Sequence, residues 1–258
     1  MATHINPRAI IHPTAKLADG VTIGPFAVIG EDVVIGEQTI IASHVVIERW
    51  TEIGARCHVG ASAVLGGAPQ HHQYNGVPSY LRIGDDNDIR ELAVIQRSAT
   101  PGGCTRIGSH IFIMSQAHVA HDCVLGDRVT VASLTALAGH VEVEEDAMIG
   151  GVTGVHQFVR IGAHSMVGGS SRLIQDVPPY VMVAGNPARV HGLNVVGLRR
   201  AGFAPALRRE LKNVYRTLYR SDLNVSQALA TIQRQPNLSA PVLRLVRFIE
   251  DSTRGICS

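Results

Sequence analysis

Aromatic residues are scarce in this chain: one Trp, five Phe and five Tyr make up 4% of 258 residues. That is too few for a large globular core packed around rings. It also leaves little for base stacking, and no RNA- or DNA-binding motif is present, so nucleic acid is a weak candidate partner. Cys57, Cys104, Cys123 and Cys257 show no CxxC spacing, and the four read as reduced, structural thiols. There is no run of about 18 apolar residues. No charged segment followed by an apolar stretch opens the chain, so the expectation is a cytoplasmic protein without a transmembrane segment.

What the chain has in abundance is a six-residue rhythm. In steps of six from Ile5 to Leu173, every position is Ile, Val or Leu except His71 and Pro101. Gly follows the aliphatic in many steps, as in Ile23-Gly24, Ile35-Gly36 and Leu125-Gly126, and the residue two before it is usually small, as at Ala27, Cys57, Ala117 and Thr153. A period of six fits neither a 3.6-residue helix nor a simple hairpin; it fits a short strand plus a turn stacked on copies of itself. Such a solenoid fills a thin column coil by coil and needs no ring-packed core. The hexapeptide pattern predicts a mainly β fold, a left-handed parallel β-helix of about 18 residues per coil over residues 1–190. Nine or so coils at roughly 4.8 Å give a rod on the order of 45 Å long.

Two stretches depart in composition but keep the rhythm. Leu65 to Ile83 spans what reads as one coil, yet Ala68 to Pro78 is too polar for the column and is expected as an exposed loop. Arg97 to Cys104 is a shorter excursion of the same kind. Past Leu173 the pattern stops, and Leu207, Leu211, Val214 and Leu218, then Val225, Leu229 and Ile232, recur at helical spacing. Val242, Leu245, Phe248 and Ile249 suggest a last helix, so residues 191–258 read as a C-terminal helical domain. Charge divides at the same place. Residues 191–258 hold eleven Lys/Arg against four Asp/Glu, whereas the first 190 hold twelve against seventeen. Arg199, Arg200, Arg208, Arg209, Lys212, Arg216 and Arg220 therefore make one end basic, as either a solvated face or a dock for an acidic partner.

Four of the thirteen histidines, His118, His121, His140 and His156, fall on what should be adjacent coils near one corner. In Ala117-His118-Val119-Ala120-His121-Asp122 the inward residue is Val119, so neither imidazole fills the column. Imidazoles on neighbouring coils or subunits can bind zinc, or one can act as a general base near neutral pH. Asp122 could then fix the His121 tautomer. Gly139, one coil on, could let a backbone N–H approach a developing oxyanion.

Ala117 to Cys123, Leu137-Ala138-Gly139-His140-Val141, Val155-His156-Gln157-Phe158, Gln175-Asp176-Val177-Pro178-Pro179-Tyr180, Gly197-Leu198-Arg199-Arg200 and Ser252-Thr253-Arg254-Gly255 together carry a more specific signal. The chain resembles, essentially end to end, the UDP-N-acetylglucosamine O-acyltransferases of lipid A biosynthesis. The resemblance implies a homotrimer with active sites in the clefts between subunits. It also implies transfer of an (R)-3-hydroxyacyl chain from acyl carrier protein to the sugar 3-hydroxyl of a UDP-sugar substrate, the first step of lipid A biosynthesis. No cofactor and no metal are implied. His121 would be the base, Asp122 its support and the Gly139 N–H the oxyanion donor. Substrate contacts would come from His118, His140, His156, Gln157, Gln70, Tyr74, Asn194 and Arg200, and the basic helices would receive acyl carrier protein. Gly169 matches the position that limits acyl length, and glycine there implies a long chain.

Departures from the family pattern gather on the acceptor side. Gln70-His71-His72-Gln73-Tyr74 stands where Gln-Asp-Leu-Lys-Tyr is usual. Gln96 replaces a common His, Val196 a frequent Glu, Ala201 a frequent Arg and Ser133-Leu134 an Asn pair. A different nucleotide sugar, an N-acyltransferase or acyl-CoA donor, a metal-dependent hydratase and an inactive scaffold are the alternatives.

Overall fold

The computed structural model describes residues 2–258. Residues up to Val177 form a left-handed parallel β-helix whose three faces are stacks of short strands. Sheet I has eleven strands and starts at His4–Ile5, sheet II has nine and starts at Ile10–Ile11, and sheet III has eight, starting at Lys16–Leu17. Pairing between coils in all three stacks is parallel, in the register Ile5↔Ile23, Ile11↔Ile29 and Leu17↔Ile35, and only the last pair of sheet I is antiparallel.

The column is built by the residues that set the rhythm. Ile23, Ile29, Ile35, Ile41 and their successors are essentially inaccessible, and the small residues two before them, such as Ala27, Cys57, Ala117 and Cys123, are buried with them. One large and one small side chain per face fill the narrow triangle without voids. Each corner is turned by a residue in the left-handed region, spaced every six: Phe26, Asp32, Gln38, His44 and Trp50 have φ between 53° and 63°. Such a φ costs a non-glycine residue roughly 1–2 kcal/mol, offset here by coil-to-coil hydrogen bonds such as Gly36 N–H to Ile53 O at 2.8 Å. Gly36 is required for that approach, since a Cβ there would lie 2.5 Å from the Gly54 carbonyl carbon.

The top of the stack ends in a hairpin. Val181–Gly185 pairs in parallel with the last coil strand of sheet I and antiparallel with Ala188–Leu193, leaving the chain to enter α1 (Val195–Arg200). Three longer helices follow, α2 (Pro205–Tyr219), α3 (Val225–Gln233) and α4 (Ala240–Glu250). Pro at the start of α2 and α4 and a capping box of Asn224 with Gln227 on α3 mark their beginnings. Leu211, Val214, Leu218, Ile232, Leu245 and Phe248 form a second core. Arg244 of α4 ties it to the coil stack through Glu145 and through Glu144 at 3.0 Å. The short α1 has no counterpart in the helical periodicity of the sequence.

Candidate active site

The two polar stretches are true insertions, which corrects the reading of Leu65 to Ile83 as one coil. Across the first, Ile53 pairs with Ile83, thirty residues on; across the second, Ile83 pairs with Ile107, twenty-four on. A plain coil takes eighteen, so twelve and six residues have been added. Both are multiples of six, which is why the rhythm survives them. Both leave the stack at the corner between sheets II and III, where Asp122, His140 and Phe158 turn the next three coils.

Arg97 holds the first insertion down. Its side chain is only 2% exposed. Nη1 donates to Gly66 O at 2.6 Å, while Nε and Nη2 donate to the Tyr74 hydroxyl at 3.2 and 3.1 Å. The guanidinium also lies over the Trp50 and Tyr74 rings. Tyr74, expected to touch substrate, therefore spends its hydroxyl on Arg97 and on Val77 O at 3.0 Å. Replacing Arg97 with Met strands the Gly66 carbonyl and the Tyr74 hydroxyl. It should destabilise the chain by about 2–3 kcal/mol and make residues 68–78 the first site cut in limited proteolysis.

The second insertion supports Asp122. The Ser98 hydroxyl and the Ala99 N–H (3.0 Å) donate to its carboxylate, and its own N–H donates to Thr105 Oγ1 at 2.8 Å. His121 Nδ1 lies 2.8 Å from Asp122 Oδ2. Because that oxygen accepts, the network assigns the proton to Nδ1 and leaves Nε2 as a lone pair. Burial alone would raise the Asp122 pKa, but the hydrogen bonds from Ser98, Ala99 and His121 outweigh it and hold the carboxyl below its ordinary value. A depressed folded-state pKa contributes stability that is present above the unfolded value, near 3.9, and lost as pH falls through the lower folded one. Asp122→Asn should accordingly remove part of the acid-side slope of a Tm-against-pH profile below about pH 4, while the neutral plateau keeps its shape.

Imidazoles crowd this corner. His121, 9% exposed, meets His71 and His140 edge-on at centroid distances of 5.3 and 5.4 Å, and His140 stacks on Phe158 at 4.7 Å. Burial first, and the neighbouring His121 second, push His118 below the usual imidazole value. A Cβ built on Gly139 would lie 2.6 Å from His121 Cε1 and 2.8 Å from Nε2; the absence of a side chain is what lets the ring occupy its place. Among the described residues the Gly139 N–H takes no backbone partner. His121, Asp122 and His140 bring one ligand atom each within 4.8 Å of one another. A cation taking His121 Nδ1 would have to displace the proton that this nitrogen donates to Asp122.

His121 and His71 open onto a groove of about 620 Å³ that also includes Gln70, His118, Gly139, His156 and Gln157. Of the predicted substrate contacts, Tyr74 and His140 are not part of this lining, and Asn194 and Arg200 lie elsewhere. They line a separate cavity of about 280 Å³ with Asp146 and His164, at the corner between sheets III and I. Asn194 there caps α1, accepting from Gly197 N–H at 3.0 Å, and donates to His164 O at 2.9 Å. Gly169 is at a third corner, with its Cβ direction 3.2 Å from Gly151 O. Sequence reasoning missed Arg97, Ser98 and Thr105, whose roles appear only once the insertions are folded against the stack.

Residues 176–257 match the family model described as UDP N-acetylglucosamine O-acyltransferase, domain 2, and residues 14–49 and 32–67 match that of the bacterial transferase hexapeptide. The chain is 48% identical over 257 residues to the acyl-[acyl-carrier-protein]–UDP-N-acetylglucosamine O-acyltransferase of Thiobacillus denitrificans, covering 99% of each. To the protein of the same name from Burkholderia orbicola it is 46% identical over 259 residues, covering 98% of this chain and 99% of that one. Among solved structures, the UDP-N-acetylglucosamine O-acyltransferase of Moraxella catarrhalis superposes with a TM-score of 0.95 at 40% identity, covering 98% and 99% of the two chains. The Arabidopsis UDP-N-acetylglucosamine acyltransferase gives 0.88 at 33%, covering 100% and 99%.

Proposed function

Since the chain belongs to the UDP-N-acetylglucosamine O-acyltransferase family, we propose that it moves a 3-hydroxyacyl group from acyl carrier protein to the 3-hydroxyl of UDP-N-acetylglucosamine, the first step of lipid A biosynthesis. The observation that carries the mechanism is the division of labour on one ring: Nδ1 of His121 is tied to Asp122 at 2.8 Å, while Nε2 stands beside Gly139 at the groove. The sugar oxygen bonds to the thioester carbon as its proton passes to Nε2. The negative charge that forms on the carbonyl oxygen faces the Gly139 N–H. Collapse breaks the C–S bond, and His121 returns the proton to the departing thiolate. Every proton is accounted for by one imidazole, so the reaction calls for no cofactor and no metal.

The separation of the two cavities supports a homotrimer. Asn194 and Arg200 can serve the His121 groove only if a neighbouring copy presents its III–I corner to this copy's II–III corner. The third corner favours the same assembly: Phe26, Leu92, Leu134 and Val152 project from left-handed backbone there, with Leu134 54% and Val152 59% exposed. Such an apolar ridge in water is a contact surface awaiting its partner. The net positive helices α2 and α4 suit acyl carrier protein if, as expected of such carriers, it is acidic. Among the described residues no helix is long and apolar enough to cross a membrane, consistent with work on soluble substrates in the cytoplasm.

Turnover of a panel of UDP-amino sugars with 3-hydroxyacyl carrier protein of graded chain length tests this reading, with sedimentation velocity on the same sample. UDP-N-acetylglucosamine should be acylated on oxygen by a three-copy species, with a long chain preferred because Gly169 presents no side chain at its corner. Turnover with acyl-CoA alone, or with none of the sugars, would overturn it.

A further inference from the structure

The Ser252-Thr253-Arg254-Gly255 segment has no part in the chemistry above, yet it is bound tightly to the coil stack. Asp176, 1% exposed, accepts from the Ser252 hydroxyl at 2.7 Å and from Arg160 N–H at 2.9 Å. Its own N–H donates to Gly255 O at 3.0 Å, and its carbonyl accepts from Cys257 N–H at 2.8 Å. Gly255 turns the chain with φ of +72°. So anchored, Arg254 reaches back ninety-eight residues. Nε and Nη2 donate to Ile174 O at 3.4 and 3.3 Å, and Nη2 lies 3.2 Å from His156 Nδ1. His156 and Ile174 both line the groove that holds His121.

We propose that Arg254 is a positioning residue for His156, and that the C-terminal turn exists to deliver its guanidinium to that ring. His156 Nδ1 has two neighbours that make opposite demands: Arg254 Nη2, and Gln157 O at 3.1 Å. A guanidinium only donates and a carbonyl only accepts. With Arg254 present, Nδ1 is the acceptor and the ring proton sits on Nε2, presenting an N–H to the groove. Without it, Nδ1–H donates to Gln157 O and Nε2 becomes a lone pair. Arg254 therefore decides whether His156 offers substrate a donor or an acceptor, a choice that the nitrogen positions alone do not reveal.

The inference rests on His156 touching substrate, so one arm of the test is independent of turnover. Nitrogen-15 histidine spectra of the wild-type chain should show His156 as the Nε2–H tautomer and those of Arg254→Met as Nδ1–H. Ser252 keeps the tail in place in the variant. In kinetics, Arg254→Met should lower kcat/KM about tenfold, the scale of one misdirected hydrogen bond. Arg254→Lys, which also only donates, should recover most of it. In a His156→Ala background Arg254→Met should cost nothing further. Wild-type His156 in the Nδ1–H form, or an equal loss in both backgrounds, overturns the proposal. If the wild-type chain turned over no UDP-sugar with acyl carrier protein, the activity reading would fail, while the spectra would still decide the tautomer.

Discussion

Replacing His121 with alanine should lower kcat by about 10²–10⁴-fold, the range expected when a general base is removed, and leave a folded rod. The fold survives because His121 contributes no side chain to the column; the inward residues of its coil are Val119, Cys123 and Leu125, all essentially inaccessible. Its coil-to-coil bond, His140 N–H to His121 O at 3.0 Å, is made by backbone. What is lost is the lone pair at Nε2 that, in the proposed mechanism, takes the sugar proton. A Tm within a few degrees of wild type with a collapsed kcat is the expected pair of results. Retention of activity within tenfold would assign the base elsewhere, with His140 the nearest alternative because its Nε2 lies 3.7 Å from the same Asp122 carboxylate.

Gly139→Ala should be nearly as damaging, although it adds one methyl group and removes nothing polar. The three atoms nearest an added Cβ all belong to the His121 ring, at 2.6, 2.8 and 3.1 Å. Ordinary carbon contacts begin near 3.5 Å, so the imidazole must retreat by close to an ångström. It has nowhere to go without lengthening the 2.8 Å bond to Asp122 or pressing on His71 and His140, which stand edge-on to it. A displacement of about 1 Å costs roughly 10²-fold in rate, and disturbing the N–H proposed as the oxyanion donor adds to it. The expected outcome is a kcat reduced by about 10²–10³-fold with an acid-side stability profile that weakens only in part, because Ser98 and Ala99 still hold Asp122 when the His121 bond is strained. A variant that kept wild-type turnover would mean that the ring has slack that its neighbours do not show.

The chain's own order of residues determined the rod, its inward ladder and the helical tail, because each depends on contacts between one coil and the next and repeats with the strand period. The resemblance likewise singled out His121, Asp122 and Gly139, which the fold does bring together. Tertiary structure decided the rest. All three faces share one six-residue pattern, so the face on which a residue lies depends on the count of eighteen, and insertions of twelve and six residues shift that count while marking the rhythm only at His71 and Pro101. Asn194 and Arg200, assigned to one site with His121, lie at a different corner of the same chain because the terminal hairpin sets α1 down beside Asp146 and His164, and Tyr74 is occupied by Arg97 because its insertion folds back on the stack. The reach of Arg254 to His156 was equally hidden, since ninety-eight residues separate them and only the folded tail closes the gap.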